Sequence, residues 1–166
     1  METKTYLQVG LAVLLLSSVG CGARTELSLP EELAGAPRVT LESGETAQST
    51  LASMHRGVDF GAYRSAIGTY RGENIRVVVY LTVFDNVADA EKMMTAMSEN
   101  IRAGKAPEFV YTGELQRQGT TVYQAASGEQ TNYFFQHGKA NVWITVAGEG
   151  GEEVLNDFLA KFSRAS

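Results

Sequence analysis

The sequence is poor in the residues from which many functional sites are built. Its 166 residues include one cysteine, two histidines, three prolines and one tryptophan. A single thiol excludes an internal disulfide and a zinc site made of several thiolates. Acidic residues outnumber basic ones, 19 to 14. This balance argues against nucleic acid as a partner, because neutralising phosphates requires clustered Lys and Arg.

The apolar run near the start of the chain is short. Residues 7–16 are mostly apolar and are interrupted by Gln8 and Gly10, whereas a membrane-spanning helix needs roughly 20 apolar residues. A polar start with one cation, Lys4, precedes this run, and small residues at 17–20 follow it. This three-part pattern is typical of a secretory signal, so we expect residues 1–20 to be a leader that is removed from the mature protein.

The residues that follow the apolar run carry a family resemblance. Ser18-Val19-Gly20-Cys21 resembles the lipobox of bacterial lipoproteins, in which the cysteine thiol receives a diacylglycerol and the leader is cut before it. The resemblance implies that acylated Cys21 anchors the protein in the lipid bilayer of the cell envelope, where two or three chains make a lasting anchor. Gly22 stands where an aspartate commonly signals inner-membrane retention. The resemblance therefore implies the outer membrane, with the protein facing the periplasm.

Removal of the leader leaves residues 21–166, which is enough chain for one domain with a sizeable core. Residues 21–55 contain Pro30 and Pro37 among many Ser, Thr, Gly and Glu residues, with no sustained apolar period. This composition predicts a flexible tether behind the lipidated cysteine. We expect residues 56–166 to form the single domain. With Cys21 used as the anchor, no thiol remains for a cysteine nucleophile.

The pattern after residue 60 predicts an α+β domain. Strand-like runs lie at 62–70 and 75–84, and a helix follows with Asp85 or Asn86 as its N-cap. Four more strand-like runs lie at 109–118, 120–127, 132–136 and 140–147, before a last helix at 151–164. We expect an antiparallel sheet of about five or six strands with both helices packed on one face. Residues 70–97 and 136–162 share one layout, which suggests a weak hairpin–helix repeat.

Aromatic residues predict a second apolar face on the sheet. The strand at 75–84 is apolar on both sides, and such a strand is usually covered on both sides. The aromatic residues assigned to this candidate binding face are Tyr80, Tyr111, Tyr123, Tyr133 and Trp143. Three explanations stay open: residues 38–59 fold back over the face or the sheet curls into a half-barrel, a partner or second copy covers it, or it lines a cavity for an apolar ligand.

No motif for catalysis, metal or cofactor stands out. His55 and His137 are far apart and have no neighbouring cluster of acids, so they do not predict a metal site. The glycine-rich stretch 148–151 precedes a helix but lacks the Lys and Ser/Thr of a phosphate loop. Its neighbours Glu149, Glu152 and Glu153 would oppose a bound anion. We therefore predict a protein that is not an enzyme and needs no cofactor.

The sequence favours a membrane-anchored envelope lipoprotein with a non-catalytic binding or scaffolding domain. Its expected partners are the bilayer, through acylated Cys21, and either another envelope protein or a second copy of the chain. The alternative is a carrier or sensor of a small apolar ligand held against the aromatic sheet face.

Overall fold

The structure is a computed structural model that describes residues 27–55 and 59–162. Eight strands form one antiparallel sheet. They are β1 (Glu32–Leu33), β2 (Ala36–Ser43), β3 (Arg64–Arg71), β4 (Ile75–Val83), β5 (Val110–Arg117), β6 (Thr120–Ser127), β7 (Gln130–His137) and β8 (Ala140–Gly148). The helices are α1 (Gly44–Met54), α2 (Val87–Arg102) and α3 (Gly151–Phe162), with a short 3-10 turn at Phe60–Ala62. The leader and Cys21 lie outside the described residues, and their assignment stays a prediction.

Two antiparallel sets of strands meet at the centre of the sheet. The spatial order is β1-β2-β3-β4-β8-β7-β6-β5. Within each set, strands that are neighbours in sequence pair with each other. Helix α1 and the 3-10 turn connect β2 to β3. The other connections are short, and Gln118 and Gly119 both have the positive φ that a two-residue turn requires. The pairing of β4 with β8 joins the sets over their full length, from Ile75 opposite Gly148 to Val83 opposite Ala140. Among the strand pairings, the one with the longest sequence separation therefore lies at the centre of the sheet.

The first face of the sheet carries the main core. It collects alternate residues of β4 and β8, together with Tyr133 and Phe135 of β7. Helix α3 covers these residues with Val154, Leu155, Phe158 and Leu159. We call this side the α3 face.

The second face is covered by two helices in separate places. Ala47 and Leu51 of α1 pack with Phe60 and Ile67, beside half-buried Tyr80. Farther across the sheet, α2 packs against β6, β7 and β8 through Met94 and Ile101. We call this side the α1/α2 face. Because side chains alternate along a strand, these clusters and the α3 core use opposite sides of the same strands.

Two expectations about the architecture are wrong in detail. The fold is α+β with one antiparallel sheet, as predicted, but it has eight strands and three helices where five or six strands and two helices were expected. The two predicted helices also do not share a face, since α2 packs with Phe134 and α3 packs with the adjacent residue Phe135. Adjacent strand residues point to opposite sides, so the helices are separated by the sheet.

The expected tether is also wrong for residues 27–55. Leu29, Leu33 and Ala36 are fully buried in the α3-face core, and β2 pairs with β3 from Arg38 to Ser43. The polar composition that resembled a tether belongs to an edge strand, where one side of the backbone remains open to water. Helix α1 follows from the same segment and packs on the α1/α2 face, whereas residues 38–43 join the sheet as β2. The suggestion that residues 38–59 fold back over the sheet is therefore confirmed for α1 and wrong for residues 38–43.

Candidate functional site

The structure brings four of the five predicted aromatic residues to the α1/α2 face. Tyr80 and Trp143 lie directly opposite each other on β4 and β8. Tyr111 and Tyr123 pack in the cluster beneath α2. Tyr133 is the error: it is only 3% exposed and belongs to the core of the α3 face. Its position follows from its register opposite Ile144, another residue of that core.

Two rings that the sequence analysis missed complete this cluster. Phe134 stacks between Trp143 and Tyr123, with ring centroids 4.7 Å and 5.3 Å away. Phe109, from the segment after α2, meets Trp143 edge-on at 5.0 Å. The alternation of Tyr133, Phe134 and Phe135 was a signal that one of the three must face away from the other two. The rings contact one another and α2, so they fill the face themselves.

Hydrogen bonds hold Trp143 in place within the cluster. Its Nε1–H donates toward Asn132 Oδ1 at 3.1 Å and Thr145 Oγ1 at 3.0 Å. The Thr145 hydroxyl in turn donates to Asn132 Oδ1 at 2.8 Å, and the Asn132 amide donates to the Ala125 carbonyl at 3.3 Å. A buried indole N–H normally finds such a partner. A ligand could use this donor only by displacing an internal bond.

A charged group closes the outer end of the aromatic cluster. Arg102, at the end of α2, forms an ion pair with Glu114 of β5. Tyr111 Oη accepts from Arg102 at 3.1 Å and donates to Glu114 at 3.1 Å. The guanidinium also lies over the rings of Tyr111 and Tyr123, at 4.8 Å and 5.4 Å. Because the ion pair is well exposed, we expect it to contribute less than about 1 kcal/mol.

Tyr80 lies at the other end of the face, against α1. Burial, and secondarily the nearby Glu42 carboxylate, raise the pKa of its hydroxyl above the ordinary value. The phenol is therefore neutral at physiological pH and is not poised to act as a base.

A row of three polar side chains crosses the α1/α2 face, two residues along β4 from Tyr80. Ser65, Thr82 and Asn141 lie side by side on β3, β4 and β8, and all three are buried. Asn141 Nδ2 donates to the Ala90 carbonyl of α2 at 2.9 Å. Ser65 Oγ and Asn141 Oδ1 have no partner among the described residues. This row therefore positions the start of α2 on the sheet.

The β2 edge combines exposed apolar side chains with an unpaired backbone. Beyond Pro37 and Arg38, the outer side of β2 has no neighbouring strand among the described residues. Val39 and Leu41 on this edge are 52% and 44% exposed. The run Val39-Thr40-Leu41 carries no charge. An uncharged edge with unpaired backbone groups is a template for an added strand.

Two open cavities are present among the described residues, and the first borders the aromatic cluster at Tyr123. One, of about 420 Å³, lies between α2 and the β5–β6 and β7–β8 turns, and its walls are mostly polar. The other, of about 390 Å³, lies beside the first described residues and the end of α3. Its walls are mostly apolar, and the residues that line it are Ser28, Leu29, Pro30, Glu31, Glu32, Lys161 and Phe162.

Hydrogen bonds fasten residues 27–33 to the domain beside the second cavity. Tyr70 Oη donates to the Pro30 carbonyl at 2.8 Å, and Arg38 donates to the carbonyls of Leu29 and Pro30. Burial raises the pKa of Tyr70 to about 12, in spite of the opposing charge of Arg38. Its hydroxyl therefore stays a donor throughout the physiological range.

Helix α3 adds a second set of bonds to the same segment. Asp157 Oδ2 accepts from the Ala34 amide at 2.8 Å, and Lys161 Nζ donates to Asp157 at 2.8 Å and to the Glu32 carbonyl at 2.9 Å. Burial acts to raise the pKa of Asp157, but its bonds to Lys161 and Ala34 outweigh burial and lower it. The segment is therefore held by both the sheet and α3.

The described residues show neither a metal-ligand cluster nor a membrane-spanning helix. Within 27–55 and 59–162, no three His, Cys, Asp or Glu side chains come together as potential ligands. None of the helices in these ranges combines the length and apolarity that crossing a bilayer requires. Comparison with known proteins gives no match: no family model, no curated protein and no solved structure resembles the chain significantly.

Proposed function

We propose that the chain is a lipid-anchored bacterial envelope protein whose domain is a non-catalytic binding module. The anchor rests on the lipobox resemblance at Cys21. The binding role rests on one observation, the uncharged and unpaired edge of β2 with exposed Val39 and Leu41. We propose that this edge receives an extended segment of another envelope protein as an additional antiparallel or parallel strand.

The opposite edge of the sheet supports this choice because it has the features that block strand addition. In β5 the register shifts between Tyr111 and Gly113, and such an irregularity disrupts pairing. Glu114 and Arg117 place charges along the same strand. Edge charges and bulges are the usual protection against unwanted pairing. The β2 edge also has an irregularity, between Arg38 and Thr40. However, its exposed residues 39–41 are uncharged, and its charged residues Arg38 and Glu42 are half-buried.

The alternative, a carrier of a small apolar ligand, has weaker support. The aromatic residues on the α1/α2 face stack on one another and pack beneath α2. Trp143 has internal partners for its N–H. A ligand at this face would have to separate rings that already contact each other. A simple test is the fluorescence emission of Trp143, the only tryptophan in the sequence. If the protein is a carrier, this emission should change when envelope lipid extracts or small aromatic compounds are added.

The binding proposal can be tested by crosslinking in the native host. A photoreactive residue at Thr40 on the β2 edge should capture a neighbouring protein, whereas one at Thr112 on the β5 edge should capture little. The complex should then be isolated, because strand addition predicts slower hydrogen exchange of the β2 amides in the complex than in the free protein. A captured protein that leaves β2 exchange unchanged would contradict the proposal.

Matched charge substitutions test which of the two sheet edges binds the partner. Leu41→Lys places a cation on the β2 edge, and Val110→Lys does the same at the 65% exposed position on β5. Both are surface changes that we expect to alter the free energy of unfolding by about 0.5 kcal/mol or less. Leu41→Lys should abolish the adduct and Val110→Lys should keep it. An adduct with twice the mass of the chain would instead identify a second copy of the chain as the occupant. This result would overturn the proposal that the partner is a different envelope protein.

A further inference from the structure

The position of residues 27–33 limits how far the domain can be from its proposed anchor. Leu29 and Leu33 are buried, and Leu29 lies over Gly68, where an added Cβ would be only 2.9 Å from Leu29 Cδ1. The chain from Leu29 onward is therefore part of the packed domain. Six peptide steps separate Cys21 from Leu27, and even fully extended they span at most about 22 Å. A chain free up to residue 55 would have allowed a much longer reach.

The surface nearest to that short connection contains the apolar cavity. Ser28, Leu29 and Pro30 form one wall, and Phe162 at the end of α3 forms another. Phe162 stacks on Phe158 at 5.2 Å, so its ring is supported from behind by the core. An apolar recess supported in this way, within about 22 Å of a lipid anchor, is positioned to meet the lipid surface.

The charges around the cavity indicate the type of lipid contact. Lys161 is already bonded to Asp157 and to the Glu32 carbonyl. Glu31 and Glu32 place two carboxyl groups on the rim. Among the described residues around the cavity there is no unpaired cluster of cations for anionic headgroups, which would require several Lys or Arg residues. The apolar walls must therefore supply any attraction, and that attraction should depend little on salt.

We propose that the surface around this cavity rests on the bilayer, so that the domain is held in one orientation close to the membrane. This inference rests on the proposed lipidation of Cys21. The orientation places the cavity toward the lipid and the β6–β7 turn away from it. His137, at one end of β7, lies 5.9 Å from Phe162, and the eight residues of β7 put the turn about 25 Å away.

The test uses the fact that the only native cysteine is the one proposed to be lipidated. An introduced cysteine is then the only free thiol and can carry a fluorophore. Ser28→Cys labels the exposed rim of the cavity, and Glu129→Cys labels the exposed β6–β7 turn as the control. The full-length lipidated protein would be placed in phosphatidylcholine vesicles with brominated acyl chains, which quench a fluorophore only at close range.

We expect quenching of the label at residue 28, little quenching at residue 129, and no change between low and high salt. Equal quenching at both sites would overturn the fixed orientation. A label at residue 28 that is unquenched by lipid but shielded from aqueous iodide would indicate a protein contact and overturn the lipid contact. Mass spectrometry of the same sample separates the two proposals: an unmodified Cys21 refutes the anchor, whereas a lipidated Cys21 without quenching refutes only the orientation.

Discussion

Two hairpin–helix units of this protein look alike in sequence and differ in structure. One is β3–β4–α2 and the other is β7–β8–α3. Their strands β4 and β8 are antiparallel neighbours at the centre of the sheet, yet α2 and α3 pack on opposite faces. If the two units were related by symmetry, the two-fold axis that exchanges β4 and β8 would be perpendicular to the sheet. Rotation about this axis leaves each face of the sheet on its own side, so α2 and α3 would pack on the same face. The resemblance between the units is therefore not a symmetric duplication.

The connections between strand and helix account for the difference. Three residues, 84–86, separate β4 from α2, whereas two residues, 149–150, separate β8 from α3. Side chains alternate between faces with a period of two residues, so a change of one residue is enough to send the following helix to the other side. A sequence pattern of strand, turn and helix thus predicts the order of the elements better than it predicts the face of the sheet on which each helix packs.

The two units also hold their helices by different means. In the first, polar groups position α2: Asn86 caps it by accepting from the Asp89 amide at 2.9 Å, and Asn141 bonds to the Ala90 carbonyl. In the second, glycines allow close approach, at Gly148 against β4 and at Gly151 against Tyr133. Substitutions in the second unit should therefore be more damaging than those in the first.

Gly148→Ala should have the largest effect. A Cβ at this position would lie 2.2 Å from the Asn74 carbonyl oxygen. This oxygen belongs to the backbone, so relief of the clash would require the main chain to shift. The φ of Gly148 is also +106°, which is strained for alanine. We expect a loss of about 3 kcal/mol or more in the free energy of unfolding, measured with urea. The control is Gly138→Ala, where φ is +56° and nothing lies within 4 Å. It should lose only about 1 kcal/mol, and equal losses would contradict the close-approach explanation.

Gly151→Ala should be the next most damaging. Its Cβ would lie 2.8 Å from Tyr133 Oη, so α3 would be pushed away from the sheet. We expect a loss of about 1–3 kcal/mol. Tyr133→Phe removes the clashing oxygen. The double variant should recover part of the loss, and a double-mutant cycle without coupling would show that the hydroxyl is not the obstacle.

Asn141→Ala should weaken the first unit by a smaller amount. It removes the bond to the Ala90 carbonyl at 2.9 Å and opens a small space in a buried row. We expect a loss of about 1–2 kcal/mol, with faster hydrogen exchange in the first turns of α2 than in α3. Gln136→Ala is the control, because its exposed bond to the Val87 carbonyl at 3.3 Å should be worth about 0.5 kcal/mol or less. Faster exchange in α3 instead would contradict this role.

Sequence signals within a few residues correctly predicted the elements that form through contacts between near neighbours in the chain. The β-branched run in β4, the Asn86 cap and the apolar stripe of α3 are all confirmed. Each depends on neighbours within a few residues, and such signals are legible in a single sequence. The same holds for the hairpins β5–β6, β6–β7 and β7–β8, whose tight turns contain glycine at positive φ.

Features that depend on distant contacts could not be predicted in the same way. Strand β2 contains Pro37 and polar residues. The proline is tolerated because it precedes Arg38, the first residue of β2 that pairs with β3, and only the assembled sheet reveals this. The same limit explains the error at Tyr133. Its face is fixed by the register of β7 against β8, and a shift of one residue would have exchanged it with Phe134.

The link between α3 and residues 27–33 should have the smallest and most pH-dependent effect. Asp157→Asn keeps the shape of the side chain but removes the charge that accepts from Ala34 and Lys161. We expect a loss of about 1 kcal/mol or less at neutral pH, by chemical denaturation, because the ion pair with Lys161 is partly exposed. Helix α2 has no equivalent link among the described residues, so this substitution perturbs only the second unit.

The pH dependence of that loss identifies the charge as its cause. The pKa of Asp157 is lowered below its ordinary value of 3.8 in the folded protein. A lowered folded-state pKa contributes stability that is complete above the unfolded pKa and disappears as the pH falls through the folded one. The difference between the native protein and Asp157→Asn should therefore shrink in acid below pH 3.8. Glu129→Gln, at an exposed turn, should change little at any pH, and an Asp157→Asn loss that persists undiminished in acid would assign the effect to packing.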